Sequence, residues 1–293
     1  MQSGRALRYL RTSMRELAFE KYEGLGNDFL VVLADTLADQ PPLSLDRVRA
    51  WCDRRRGVGG DGVLVVGGAQ GDALASMTVH NADGSVPEMC GNGLRCVALS
   101  LVRRGIAGLD EPFVVATGAG PRRCRVSSAS GLGEVSVEID MGRARSSGVV
   151  EVTVGGRKPR WLELHAVSTG NPHAVYFGDL PEDEVDRLGA EVSTHEVFPG
   201  GVNAGFARVT EPTAERPSRG IDLLVWERGV GKTLACGTGA CAAAFAACTR
   251  GDLPFGEEIA VRLPGGELAI TVAPEGQVHM RGPARFVFRG EAT

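Results

Sequence analysis

Cys90-Gly91-Asn92-Gly93, running through apolar residues to Arg104-Gly105, returns half a chain later as Cys236-Gly237-Thr238-Gly239, running through alanines to Arg250-Gly251. The Arg-Gly pair falls at the same offset from each cysteine, in a chain of 293 residues. A second echo lies upstream of each: Gly26-Asn27-Asp28-Phe29-Leu30-Val31-Val32 against Gly170-Asn171-Pro172-His173-Ala174-Val175-Tyr176. Two landmarks repeating at half the chain length imply a duplicated domain with one cysteine-bearing turn in each half. If the halves face each other, two thiols meet across one cleft. Such a pair can move a proton from one face of a carbon to the other.

Short β-like runs dominate the chain: 19–22, 29–33, 63–66, 77–80, 113–116 and 134–139, then 162–167, 174–177, 204–209, 221–226, 259–263, 268–272 and 286–288. Many alternate or are β-branched, with Gly, Pro or Asp between them. Ser44 ahead of 46–56 reads as a capped surface helix, and 183–188 as a short one. Segments 93–102 and 240–248, which follow the two cysteines, are small or apolar nearly all round apart from Arg95. A helix without a polar face must be buried. The expected fold is therefore α+β: two pseudo-symmetric domains, each a curled, mostly antiparallel sheet or barrel around one central buried helix. Residues 14–130 would form the first and 131–281 the second, divided in the Gly/Ser-rich stretch 127–133.

Glycine after each cysteine, and again two residues on, lets the backbone turn tightly and approach a ligand closely. The following helix presents unpaired N–H groups and its positive end to the turn. The paired turns thus make a cradle for a carboxylate, and each thiol sits where thiolate is favoured. A helix terminus supplies about 0.3–2 kcal/mol, and one pKa unit is about 1.4 kcal/mol. A thiol of about 8.5 would fall to about 7 at best. That readies a base, while removing a proton from an α-carbon needs further hydrogen bonds to the carboxylate in a site closed to water. Cys52, Cys96, Cys124, Cys241 and Cys248 lack the duplicated glycine context and read as small hydrophobes.

The bulk composition is that of an ordinary globular chain, 43% hydrophobic and 23% charged. A formal net charge of −4 argues against a nucleic-acid or anionic-membrane partner held by bulk electrostatics. No apolar run approaches the roughly 18 residues that span a bilayer. Residues 1–13 carry Arg5, Arg8 and Arg11 with no acid, and read as a disordered extension or as sequence upstream of a start at Met14. Seven cysteines without a C-x-x-C pair or an export signal suggest reduced thiols in a cytoplasm and no structural zinc.

The run from Asn81 to Cys96, Asn-Ala-Asp-Gly-Ser-Val-Pro-Glu-Met-Cys-Gly-Asn-Gly-Leu-Arg-Cys, closely resembles the first conserved motif of diaminopimelate epimerases. Glu227-Arg228-Gly229-Val230-Gly231-Lys232-Thr233-Leu234-Ala235-Cys236-Gly237-Thr238-Gly239 resembles the second. Segments 21–29 and 56–62, and Gly170-Asn171-Pro172-His173, are similar to the family's in the same order, so the resemblance covers everything after the extension. It implies interconversion of LL- and meso-2,6-diaminopimelate, a step toward lysine and peptidoglycan precursors, without cofactor or metal. Cys90 and Cys236 would be the two bases, one taking the α-proton as thiolate and the other returning a proton from the opposite face. Gly91-Asn92 and Gly237-Thr238 would hold the carboxylate of the reacting centre. Asn27, Asn81, Asn171 and Asn203 would bind substrate, since an amide both donates and accepts. Glu227 and Arg228 would meet ammonium and carboxylate groups, with His173 supporting the thiols. The resemblance also implies a strand at 282–293 returning to the first domain, and it leaves a homodimer open. Glu23 stands where the family often has histidine, and Gly62 where some members have glutamine.

Gly57-Val58-Gly59-Gly60-Asp61-Gly62 satisfies G-x-G-x-x-G but precedes a strand rather than opening a helix, so it is no dinucleotide fingerprint. Gly231-Lys232-Thr233 mimics the end of a phosphate loop, yet Trp226 occupies the required first glycine. A pyridoxal cofactor would need a Schiff-base lysine, and Lys21, Lys158 and Lys232 all lack that context. Proline racemases and hydroxyproline epimerases share the two-thiol logic but usually carry histidine where Asn92 stands. A thiol redox sensor is the alternative of another class, because facing thiols can oxidise to a disulfide.

Overall fold

The computed structural model describes residues 17–38, 43–128, 135–156, 159–214 and 218–292. The 1–13 extension and the expected domain boundary at 130/131 lie outside them. The first half runs β1 (Leu17–Gly24), β2 (Asn27–Leu33), α1 (Ala34–Leu37), α2 (Leu45–Cys52), β3 (Gly62–Gly67), β4 (Ala75–Asn81), α3 (Gly91–Arg103), β5 (Pro112–Thr117), β6 (Gly120–Ser128) and β7 (Val135–Arg143). The second runs β8 (Arg145–Val154), β9 (Arg160–Ser168), β10 (Pro172–Phe177), α4 (Glu182–Ser193), β11 (Asn203–Thr210) and β12 (Gly220–Glu227). It continues through β13 (Gly231–Thr233), α5 (Gly237–Arg250), β14 (Glu258–Leu263), β15 (Gly266–Val272) and the long β16 (Gln277–Ala292).

The duplication is written in the hydrogen bonding. Antiparallel β1–β2 is followed by parallel β2–β3, antiparallel β3–β4 and parallel β4–β5. The second half repeats that alternation as β9–β10, β10–β11, β11–β12 and β12–β14. A parallel neighbour requires a crossover, and in each half the second crossover carries the apolar helix: α3 between β4 and β5, α5 between β12 and β14. Residues 91–101 of α3 are all buried, as is nearly all of α5. One hydrophobic core envelops both helices and joins the halves. On the outside, α2 seals a smaller cluster through Val48 and Trp51, and α4 another through Val185, Leu188 and Val192.

β16 stitches the halves together. Residues 277–284 pair with β7 and 278–281 with β15, then 285–292 pair with β1, which closes the first barrel. β7, which follows the expected boundary, pairs with β6 and β16 and so completes that barrel. The residue pattern suggested only 286–288 of this long strand because Gly282-Pro283 interrupts it, whereas the resemblance implied 282–293. Pro283 lies in the gap between the β15 and β1 pairings, where β16 has no neighbour on that side to miss its N–H. Helix α2 is capped as expected, Ser44 Oγ accepting from Arg47 N at 3.3 Å. It stops at Cys52 rather than 56 because Asp53 is extended and its carboxylate accepts from Arg55 N and Arg56 N, at 2.7 and 2.9 Å. Among the described residues no helix is long and apolar enough to cross a membrane.

Candidate active site

Cys90 and Cys236 are the N-cap residues of α3 and α5. Each sulfur accepts from the backbone N–H three residues on, Gly93 and Gly239, both at 3.4 Å. A Cβ at Gly91 would sit 3.0 Å from Met280 Cε, and one at Gly237 would sit 3.0 Å from Met280 Sδ. Two helix N-termini therefore converge on one methionine of the shared strand β16. Glycine there is a matter of space.

The turns open on a cavity of about 580 Å³ lined by Asn27, Asn81, Cys90, Gly91, Asn92, Asn171, Asn203, Glu227, Arg228, Cys236, Gly237 and Thr238. His173 sits behind it, buried, with Nε2 3.0 Å from Asn171 Oδ1. Burial pushes this imidazole down to about 3, so it is neutral at physiological pH and its Nε2–H donates to the Asn171 carbonyl. Asn171 is thereby turned so that its Nδ2 reaches Thr238 Oγ1 at 3.3 Å, and that hydroxyl lies 3.6 Å from Cys236 Sγ. Asn203 spends its oxygen on Arg228 N (2.9 Å) and one N–H on Pro172 O (3.2 Å). Asn81 Nδ2 donates to Ser85 Oγ at 2.9 Å. The Arg228 guanidinium is exposed and donates to Gly200 O and Gly201 O.

Electrostatics differ from the sequence expectation. Burial pushes the Cys90 thiol up to about 11 and the Cys236 thiol well above its ordinary value, despite the helix-terminal N–H groups. Desolvation of a thiolate outweighs one terminal dipole here. The Glu227 carboxylate, itself raised by burial, adds to both shifts. Thr233 Oγ1 steadies it, donating to Oε1 at 2.7 Å. Without a ligand both sulfurs are thiols at neutral pH.

Asn92 spans the two halves. It is 3% exposed, and its Nδ2 donates both to Asn27 Oδ1 (3.2 Å) and to Ala235 O (3.0 Å), next to Cys236. Its Oδ1 is buried with no hydrogen-bond partner among the described residues.

The sequence model of the diaminopimelate epimerase family matches residues 19–146 and 165–287. The diaminopimelate epimerase of Synechococcus sp. (strain JA-3-3Ab) is 42% identical over 294 aligned positions, covering 94% of this chain and 97% of the relative. The chain belongs to the diaminopimelate epimerase family. It is accordingly an isomerase acting on a small molecule. Two solved structures share the fold: a phenazine biosynthesis protein of the PhzF family from Bacillus anthracis, and a hydroxyproline epimerase from Agrobacterium vitis. The first has a TM-score of 0.73 at 15% identity, covering 96% of this chain and 100% of that one. The second has a TM-score of 0.70 at 15% identity, covering 96% and 93%.

Two departures from the diaminopimelate epimerase pattern have structural causes. A Cβ at Gly62 would lie 2.6 Å from His80 O, so β3 and β4 leave no room for a side chain. Glu23 holds Arg285 Nε at 3.0 Å and accepts from Gly26 N at 3.1 Å, steadying the turn before Asn27.

Asp61 was missed, although it lies within the glycine-rich stretch set aside as a false nucleotide fingerprint. One carboxylate oxygen accepts from Asn27 Nδ2 (2.6 Å) and Asp28 N (3.0 Å), and the other from Arg54 Nη2 (2.8 Å). Asn27 is thereby oriented with its oxygen toward Asn92. The signal was a carboxylate among glycines. Asp61→Ala frees the Asn27 amide and is expected to lower kcat/KM about tenfold or more, mainly through KM, with the circular dichroism spectrum unchanged. Wild-type kinetics in that variant would deny Asp61 the role.

Proposed function

We propose that the chain interconverts LL- and meso-2,6-diaminopimelate by a two-thiol proton transfer needing no cofactor, in the cytoplasm, where its cysteines stay reduced. What supports this reading most is a pair of cysteine N-caps, one from each half, opening on a single polar cavity. The two halves act as domains on either side of the reacting carbon. The substrate α-carboxylate lies against the N–H groups of the Gly91-Asn92 and Gly237-Thr238 turns, where charge gained on deprotonation is met by two helix N-termini. An ammonium group beside Glu227 neutralises the carboxylate that opposes ionisation of both thiols, so substrate binding itself favours a thiolate. That thiolate takes the α-proton. The C–H electron pair stays on the carbon, spreads into the carboxylate, and then takes a proton from the other cysteine on the opposite face. One thiol and one thiolate remain with their roles exchanged, ready for the reverse turn.

The test is to incubate purified, reduced enzyme with LL-diaminopimelate or L-proline and analyse each by chiral chromatography. Meso-diaminopimelate should form and proline should stay unchanged. Inversion of proline with diaminopimelate untouched would overturn the assignment.

A further inference from the structure

Arg95 is the one charged residue among the buried positions 91–101 of α3, and it is 0% exposed. Its Nε donates to Pro283 O at 3.0 Å, its Nη1 lies 3.8 Å from Met280 Sδ, and its Nη2 has no hydrogen-bond partner among the described residues. None of the three nitrogens meets a carboxylate among the described residues. Arginine keeps its proton even when buried, and an unpaired buried charge costs stability. The bond to Pro283 does not account for it. That carbonyl lies where β16 passes from β15 to β1, and a neutral amide would satisfy it.

The surroundings suggest what the charge is for. Met280, which Arg95 touches, lies under both cysteine turns, 3.0 Å from the Cβ positions of Gly91 and Gly237. Burial works against the charge on this guanidinium, and the groups that feel it are Cys96 and then Cys90 on α3, Cys241 on α5, and Glu23 on β1, which is already paired with Arg285. From the other side, Glu227 on β12 faces Cys90, and both Glu227 and Cys90 face Cys236. Cys90 therefore stands between a carboxylate that opposes its thiolate and a cation that favours it.

We propose that Arg95 is a positioning residue kept for its charge, an unpaired guanidinium beneath the cysteine turns that favours thiolate at Cys90 from the protein side while the substrate acts from the cavity side. This rests on the two-thiol reading above. It explains why the buried part of α3 holds a charged side chain five residues after its capping cysteine. The cation acts through Cys90 and touches no substrate.

The test needs no substrate. In a Cys236→Ala background, Cys90 is alkylated with iodoacetamide across a pH series and quantified by peptide mass spectrometry, because only the thiolate reacts. Arg95→Gln keeps an N–H donor but loses the charge. Its alkylation midpoint should move up by about one pH unit, slowing reaction about tenfold at any pH below the midpoint. Arg95→Lys keeps the charge and should stay close to the parent. The melting temperature of Arg95→Gln should equal or exceed the parent's, since a buried charge has gone. With Cys236 restored, the rising limb of the kcat/KM profile should shift upward in Arg95→Gln and not in Arg95→Lys. An unshifted alkylation profile in Arg95→Gln overturns the proposal. So does failure of that variant to fold, because a side chain kept only for its charge leaves a foldable chain behind. Loss of the epimerase reading would leave the alkylation shift in place, so the two ideas fail separately.

Discussion

Cys90→Ser and Cys236→Ser should each lower kcat for epimerisation by about 10²–10⁴-fold, the usual worth of a positioned acid or base. Serine is a favoured N-cap, so its hydroxyl can keep accepting the Gly93 or Gly239 N–H that each sulfur accepts now. Both variants should therefore melt close to the wild type, which makes the loss chemical rather than structural. Deuterated water separates the two sulfurs. Wild-type turnover should put deuterium on the inverted α-carbon, because the returning proton comes from a solvent-exchanged thiol. Each variant keeps one thiol on one face. It should exchange the α-proton of the stereoisomer presented to that face and return deuterium without inverting it. The two variants should thus wash deuterium into opposite stereoisomers. Unimpaired epimerisation by either one would remove the two-base scheme.

The duplication was legible because buried segments announce themselves. Helices α3 and α5 have no polar face to present to water, and the doubled cysteine turns set the register between the halves. Interior strands such as β2, β3 and β12 were equally plain, being β-branched and apolar. Strands β6 and β8 were not: Gly120–Ser128 carries three arginines and Arg145–Val154 is mostly exposed. Their pairing comes from neighbouring strands rather than from their own pattern, where tertiary context overrides local propensity. The same limit applied at the site. Cys90, Cys236 and the asparagines stand in motifs that can be read along the chain. The thiol energetics cannot be read that way, because a helix dipole is a local property whereas desolvation depends on everything packed around the sulfur. Met280 was invisible for a related reason, and the signal at Asp61, a carboxylate among glycines, did not say what it holds. Each works by reaching a turn that is distant in sequence.

Asn92→Asp changes one atom and is expected to cost about 10²-fold or more in kcat/KM. The present amide donates toward both halves, to Asn27 Oδ1 and Ala235 O. A carboxylate has no donor, so both contacts become oxygen against oxygen, and each lost bond at a buried site costs about 1–3 kcal/mol. Its charge would also lie close to the Cys236 turn, since Asn92 Oδ1 is 3.5 Å from the Cβ position of Gly237. There it would oppose thiolate on both sulfurs. Burial should raise the pKa of this new carboxyl, and the sign of its pH effect follows. Above that pKa folding must bury a charge, and stability is lost. Below it the neutral acid regains one O–H donor, and the loss is partly repaired. The melting-temperature deficit relative to wild type should therefore be large near about pH 8 and narrow near about pH 5. Activity should respond less to acid, because lowering the pH also removes the thiolate. A deficit equal at both pH values would mean that the Asn92 amide does not bridge the two cysteine turns as a donor.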